Sequence, residues 1–307
     1  MKACIDIGGT KVAVSLNPGT GLHLMARRSE PTAKTGNNDA LALQVIRMVD
    51  EACGEAGVAR SSVRRAGVSS CGPFVIRDGL VEVAAPNICG GIAGPARGLP
   101  NSWDTALLEV PLRSRFDEVR VENDCIAALE AERRWGALQG FDHCAYVTWS
   151  TGIGVGLCVD GRVLRGKNGN AGHAGHMFVS DNRDALCGCG NIGDVEALVA
   201  GNAIERRFGA DAATLLARAK SGEDDAIAKV DELCRVMGRM LYNLVATLDL
   251  QRISLGGSVF AHNSGYVLPK LQAEVSGHLA ALTTGCDLVP AGLAERVGDY
   301  AALALLV

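Results

Sequence analysis

Aromatic residues are scarce in this chain of 307 residues, at 4%, although hydrophobic residues make up 48% of it. Its core must therefore be built from Ala, Val, Leu and Ile. No uninterrupted apolar run approaches the ~18 residues of a membrane span, so no membrane partner is expected. A basic surplus is missing as well. Thirty Lys and Arg stand against 34 Asp and Glu, a formal charge of −4. Pairs such as Arg64-Arg65 and Arg133-Arg134 are scattered rather than gathered into a tract, which excludes a nucleic-acid partner. The opening Met1-Lys2-Ala3-Cys4-Ile5-Asp6 has an acid where a secretory signal needs an apolar stretch. A cytoplasmic chain with mostly reduced thiols is the expectation. There is no G-x-x-x-x-G-K-[ST] run, and Gly152-Ile153-Gly154-Val155-Gly156 lacks G-x-G-x-x-G spacing and leads into a strand. A P-loop is thereby excluded and a dinucleotide fold disfavoured.

Glycine and cysteine, by contrast, are plentiful, at 38 and 11 residues. Glycine in such numbers marks backbone that turns sharply or approaches something closely. The length suggests two domains. Cys4–Ile7, Gly8-Gly9-Thr10 and Val12–Val14 read as strand, tight turn, strand, and a similar unit runs from Ala145 to Val159 around Ser150-Thr151-Gly152. Two such units suggest two related α/β lobes. Periodicity predicts helices over Leu41–Cys53, Cys125–Trp135 and Ile227–Leu248, and strands over Arg65–Ser69, Glu118–Val121 and Arg252–Leu255. Pro73–Pro100, rich in Gly and Pro, reads as a loop region over a cleft. Alternating strands and helices indicate the α/β class.

Three Gly-rich turns end three of these strands: Gly8-Gly9-Thr10, Thr151-Gly152 and Gly256-Gly257-Ser258. One Gly-Gly turn is usually a hairpin, but three with a hydroxyl beside each suit backbone N–H groups that cradle phosphates. Asp6, inside an apolar strand, either caps its own turn or serves Mg²⁺ beside those loops, and the turns favour the second. Asn123-Asp124, at a strand end, reads as a helix cap or, in a phosphate-binding cleft, as a base that accepts a hydroxyl proton. His176, Cys187, Cys189 and Asp194 are acceptable zinc ligands; the alternative is two buried thiols near an unrelated histidine.

Taken together, Asp6-Ile7-Gly8-Gly9-Thr10-Lys11, Ala85-Pro86-Asn87, Glu122-Asn123-Asp124 with Glu132, Ser150-Thr151-Gly152-Ile153-Gly154 and Leu255-Gly256-Gly257-Ser258 resemble, nearly end to end, the ROK family of sugar kinases and sugar-responsive repressors. The resemblance implies a two-lobed actin/hexokinase-like (ribonuclease H-like) ATPase fold with a ligand cleft between the lobes. It implies a smaller lobe over 1–117, joined by a C-terminal helix at about 291–307, and a larger one over 118–290. It also implies ATP-dependent phosphorylation of a hexose 6-hydroxyl, glucokinase-like, with Asp124 as the general base. Asn87, Asn123, His173, His176 and Glu196 would hold the sugar. Asp6, Gly8, Gly9, Thr10, Lys11, Thr151 and Gly152 would address Mg·ATP, with Gly256 and Gly257 on the nucleoside side. A homodimer or homotetramer is implied too. Two positions depart from the family pattern. Its Gly-Glu-x-Gly-His has His173 in place of Glu, which brings amino or N-acylamino hexoses such as kanosamine or N-acylmannosamine into view. Its zinc set of one His and three Cys has Asp194 in place of the last Cys. A repressor is disfavoured, because a helix-turn-helix needs about 60–80 residues before the phosphate motif and Asp6 leaves no room. A sensor without catalysis is disfavoured by Asn123-Asp124 and the phosphate loops.

Overall fold

Short apolar strands punctuated by tight turns generate two sheets of the same plan. In the computed structural model, which describes residues 1–19, 21–93, 97–181 and 185–307, the chain divides into two units. The first comprises Met1–Ala131, Arg165–Ala171 and Arg296–Val307; the second comprises Glu132–Leu164 and Gly172–Glu295.

In the first unit, β1 (Lys2–Ile7), β2 (Lys11–Asn17) and β3 (Met25–Pro31) form an antiparallel meander. α1 (Ala40–Glu55) then carries the chain to β4 (Arg65–Ser70), which lies parallel to β1. Leu41, Val45, Met48, Val49 and Ala52 are the buried stripe of α1, spaced as an amphipathic helix requires. β8 (Glu118–Asn123) adds parallel to β4, completing the order β3-β2-β1-β4-β8. Between β4 and β8 lie β5 (Phe74–Arg77), β6 (Leu80–Val83), α2 (Gly90–Ala93), β7 (Ala106–Leu107) and α3 (Glu109–Arg113). β5, β6 and β7 form a sheet of their own. The expected loop over Pro73–Pro100 is therefore corrected: it holds a hairpin, turned by Asp78 and Gly79, both at positive φ. Residues 94–96 of that stretch lie outside those described.

α4 (Asp124–Trp135) follows β8 and passes from the first unit into the second at Ala131/Glu132. β8 pairs residue for residue with β4, from Arg65↔Glu118 to Ser70↔Asn123, and so lies with the first unit.

The second unit repeats the plan. β9 (Cys144–Trp149), β10 (Ile153–Val159) and β11 (Arg162–Val163) form the meander. β12 (Arg252–Gly256) lies parallel to β9 and β13 (Asp287–Pro290) parallel to β12, in the order β11-β10-β9-β12-β13. Its helices are α5 (Val195–Val199), α6 (Gly201–Phe208), α7 (Ala212–Lys220), α8 (Asp224–Leu248), α9 (Ser258–Ala261), α10 (Ser264–Ser276) and α11 (Ala280–Thr283). α8 buries Val230, Leu233, Cys234, Met237, Leu241, Leu244 and Val245 along one face. The chain then returns to the first unit as α12 (Val297–Ala304). A Cβ at Gly67 of β4 would overlap the carbonyl oxygen of Ala302, so glycine there lets α12 press on the sheet. The α/β class and the two related halves expected from the sequence are both present. Among the described residues, no helix is long and apolar enough to cross a membrane.

Candidate functional site

Parallel pairing of β1, β4 and β8 brings their C-terminal ends to one edge of the first sheet, where open α/β sheets bind ligands. Asp6, Ser69 and Glu122 lie in one row of the register, and Asn123 and Asp124 follow at the edge. Gly8 N–H donates to the Lys11 carbonyl at 2.9 Å and closes the first turn. Thr32 fixes that turn from β3's end, its hydroxyl donating to the Gly8 carbonyl at 2.7 Å. A Cβ at Gly9 would overlap the Asn87 amide, so Asn87 sits against this turn. Thr10 and Lys11 are exposed beside it.

Asp6 is poor in compensation. Ser69 Oγ lies 3.4 Å from its Oδ1. Burial, and next the charge of Asp124, push its pKa up from 3.8 to about 7, while Lys11 opposes. Asp124 is likewise pushed up by burial, against the hydrogen bonds that Cys125 donates. Two buried acids, of which Asp6 also feels the charge of Asp124, have the electrostatics that suit a cation. At the head of α4, Cys125 N–H donates to Asn123 Oδ1 at 3.0 Å and to Asp124 Oδ1 at 2.8 Å. The cap is thus shared between the two side chains. Glu122 is held by Arg165, whose Nε donates to Oε1 at 2.5 Å.

In the second unit, Ser150 N–H donates to the Gly152 carbonyl at 3.0 Å, leaving Thr151 exposed at the tip of a three-residue turn. Gly257, at φ +88°, has no room for a Cβ, which would overlap the Trp149 backbone. Gly256 lies against Tyr146, and Gly201 N–H, at the head of α6, donates to the Ser150 carbonyl at 2.8 Å. Thr151, Gly152, Gly256 and Gly257 are therefore gathered at one end of this sheet. Glu196 reaches the same turn, accepting Ile153 N–H at 3.0 Å on Oε2.

Gly172 and Gly175 lie so close to β10 that a Cβ at either would collide with the Val155 or Ile153 carbonyl. That close approach explains the spacing of Gly172-His173-Ala174-Gly175-His176. The two imidazoles stack, with centroids 6.0 Å apart and planes at 16°. His173 Nε2 is buried and has no hydrogen-bond partner among the described residues. Burial, then His176, push the His173 pKa down; the hydrogen bond with Asp194 pushes that of His176 up.

His176, Cys187, Cys189 and Asp194 form a cluster whose ligand atoms all lie within 4.8 Å of one another. His176 Nδ1 lies 3.1 Å from Asp194 Oδ2, 3.5 Å from Cys189 Sγ and 3.8 Å from Cys187 Sγ. Cys189 Sγ lies 3.7 Å from Asp194 Oδ2. Tetrahedral zinc with ordinary bond lengths separates such ligands by roughly 3.3–3.8 Å; three of these distances lie in that range and the His176–Asp194 hydrogen bond is a little shorter, so the donor set suits the ion after a small adjustment.

Sequence reasoning named Glu132 and Asp194 but not the structural contacts they make, and it missed Asn170 altogether. Glu132, grouped by resemblance with the catalytic segment, lies fully buried and accepts hydrogen bonds from Ala137, Gly292 and Leu293 N–H and from Ser254 Oγ. Its partners are distant in sequence and carried no local signal. Asp194 also caps α5, accepting Ala197 N–H at 2.7 Å, which its spacing before Ala197 could have revealed. Asn170 pairs both amide atoms with the Phe74 backbone, each at 2.8 Å.

Comparison with known proteins places this geometry in a family. The model of the ROK family matches residues 2–306. N-acetylmannosamine kinase of Salmonella typhimurium is 33% identical over 266 residues, 83% of this chain and 82% of that protein. A ROK hexokinase structure from Thermus thermophilus aligns with a TM-score of 0.79 at 30% identity, covering 99% of this chain and 96% of its own. A ROK family glucokinase from Streptomyces griseus, solved with glucose and AMPPNP, shares the fold with a TM-score of 0.68 at 24% identity over 98% and 97% of the two chains. Two five-stranded sheets of one order, each with its Gly-rich turn, are the frame on which these likenesses rest, and by them the chain belongs to the ROK family and is one of its sugar kinases.

Proposed function

We propose that the chain transfers the γ-phosphoryl group of ATP to the 6-hydroxyl of a hexose, with Asp124 as the general base. One observation carries this reading: Asp124 directly follows β8 at the head of α4 with its carboxyl pushed up by burial, on the sheet edge that also bears Asp6 and the Gly8–Thr10 turn. A carboxylate with a raised pKa is a stronger proton acceptor, as a hydroxyl nucleophile requires. Asp124 takes the O6 proton as the O6–P bond forms, and the bond from the γ-phosphorus to the bridging oxygen breaks to release ADP. The Cys125 hydrogen bonds on Asn123 and Asp124 orient the base and leave its second oxygen for the sugar. Asn87, Asn123, His173, His176 and Glu196 hold sugar hydroxyls, while Gly8, Gly9, Thr10, Lys11, Thr151 and Gly152 address the phosphates and Gly256-Gly257 the nucleoside. Mg²⁺, when bound with ATP, neutralises phosphate charge, and Asp6 is the residue that would hold it. Zinc on His176, Cys187, Cys189 and Asp194 would be structural, since all four positions are filled by protein.

A second reading is an N-acylamino hexose as acceptor. It is favoured by the kinship with N-acetylmannosamine kinases and by His173, whose buried Nε2 awaits a partner. Purified protein with Mg·ATP is to be assayed for sugar-dependent ADP release over hexoses, aminohexoses and N-acylaminohexoses. Silence across the whole panel rejects the kinase reading for this chain. Asp124→Asn should lower kcat by about 10²–10⁴-fold while sugar binding persists; substantial residual kcat removes Asp124 as the base.

A further inference from the structure

The two carboxylate oxygens of Asp194 face different tasks. Oδ1 accepts Ala197 N–H at 2.7 Å and caps α5. Oδ2 faces the cluster, 3.1 Å from His176 Nδ1 and 3.7 Å from Cys189 Sγ. The side chain is wholly buried, so neither oxygen has water as an alternative. Two residues on, in the first turn of α5, lies Glu196, which contacts two further parts of the chain. Its Oε2 accepts Ile153 N–H at 3.0 Å, at the exit of the Ser150–Gly152 turn. Its Oε1 accepts the Cys187 thiol at 3.6 Å. A Cβ at Gly152 would come within 2.9 Å of Glu196 Oε2, so the turn and the carboxylate have little room to shift independently.

We infer that Asp194 is a positioning residue through which occupancy of the metal site sets the placement of Glu196 and, with it, of the Ser150–Gly152 turn. The inference rests on the zinc reading proposed above. A cysteine at this position would supply a ligand but only a weak acceptor for Ala197 N–H. The carboxylate supplies both at once, and so ties the ion to the head of α5. A bound dication also offsets the negative charge of Asp194, Glu196 and the two thiolates that would hold it. Removing the ion therefore loosens the α5 cap and releases Glu196 from Ile153.

The test uses the full chain without nucleotide or turnover. Chelator-treated protein is titrated with Zn²⁺, and hydrogen–deuterium exchange is followed in peptides covering 150–158 and 194–200. Zinc should slow exchange in both by about fivefold, the effect of one helix cap. Asp194→Asn keeps a good cap but is a poor ligand. It should lose at least about tenfold in zinc affinity, keep 194–200 protected, and leave 150–158 insensitive to zinc. Asp194→Cys should bind zinc stoichiometrically yet exchange rapidly at 194–200 in its presence. Stoichiometric zinc binding to the unmodified protein with no change at 150–158 overturns the inference, as does an Asp194→Cys protein that responds like the original. If zinc does not bind at all, the metal reading falls and this inference with it, while the kinase reading is decided separately by turnover.

Discussion

Replacing Glu132 removes an acceptor that serves four donors at once. Oε2 receives Ala137 N–H at 2.8 Å, Gly292 N–H at 2.9 Å and Ser254 Oγ at 3.3 Å, and Oε1 receives Leu293 N–H at 2.8 Å. These donors belong to the end of α4, to β12 and to the segment after β13. A buried donor left without a partner costs about 1–3 kcal/mol. Water entering the space vacated in Glu132→Ala would restore part of this, so the expected loss is about 3–6 kcal/mol, a large share of a typical 5–15 kcal/mol. Glu132→Gln keeps the shape and one acceptor; with that oxygen in the Oε2 place its amide NH₂ faces only Leu293 N–H, at a cost of about 1–3 kcal/mol. Urea unfolding measures both: the midpoint should fall with the slope unchanged. Because Glu132 touches backbone and Ser254, kcat per folded molecule should stay close to that of the parent protein. A loss below about 1 kcal/mol in Glu132→Ala would refute the idea that unsatisfied donors dominate here.

Asp6 makes stability depend on pH. Its folded pKa of about 7 lies above its ordinary 3.8, so its stabilising contribution is complete below about pH 4 and is lost as pH rises through 7. The full swing is at most roughly 4 kcal/mol. Without Mg²⁺, Tm should fall from pH 5 to pH 8 more steeply than in Asp6→Asn; parallel curves for the two proteins would remove Asp6 as the cause. Gly67→Ala forces β4 and α12 apart and should cost about 2–4 kcal/mol by urea unfolding, whereas a neutral result would mean that α12 yields easily. Asn170→Ala gives up two hydrogen bonds to Phe74 and should cost about 1–2 kcal/mol, measured the same way.

Much of this was legible from local pattern. The β1–β2 and β9–β10 hairpins and α8 announce themselves by alternation, turn chemistry and 3.6-residue spacing, because the forces that form them act over a few residues. The β5–β6 hairpin carried an equally local signal, Asp78-Gly79 between apolar pairs, but the Gly- and Pro-rich surroundings masked it. The unit boundary inside α4 was not legible. It depends on β8 choosing β4 as its partner, 53 residues away in register, and no property of β8 alone encodes that choice. Glu132 likewise reads as one more acid on an exposed helix until Ser254, Gly292 and Leu293 close over it. Asp194 drew notice in the sequence only as a candidate ligand, and its cap was hidden behind the stronger Cys187–Cys189 signal.

The repeated sheet order allows the two halves to be laid on each other residue by residue. In the first, Asp6 pairs with Ala13 and Ile7 with Val12 around the turn at 8–10. In the second, Thr148 pairs with Gly154 and Trp149 with Ile153 around the turn at 150–152. Asp6 and Thr148 thus hold equivalent stations, but only one of them can bear a charge. A scaffold doubled in its backbone is single in its electrostatics. An anion held at the first turn has a carboxylate beside it, whereas one held at the second has a hydroxyl. Exchanging the two side chains, in Asp6→Thr with Thr148→Asp, would transfer the acid to the other copy without altering the strand plan.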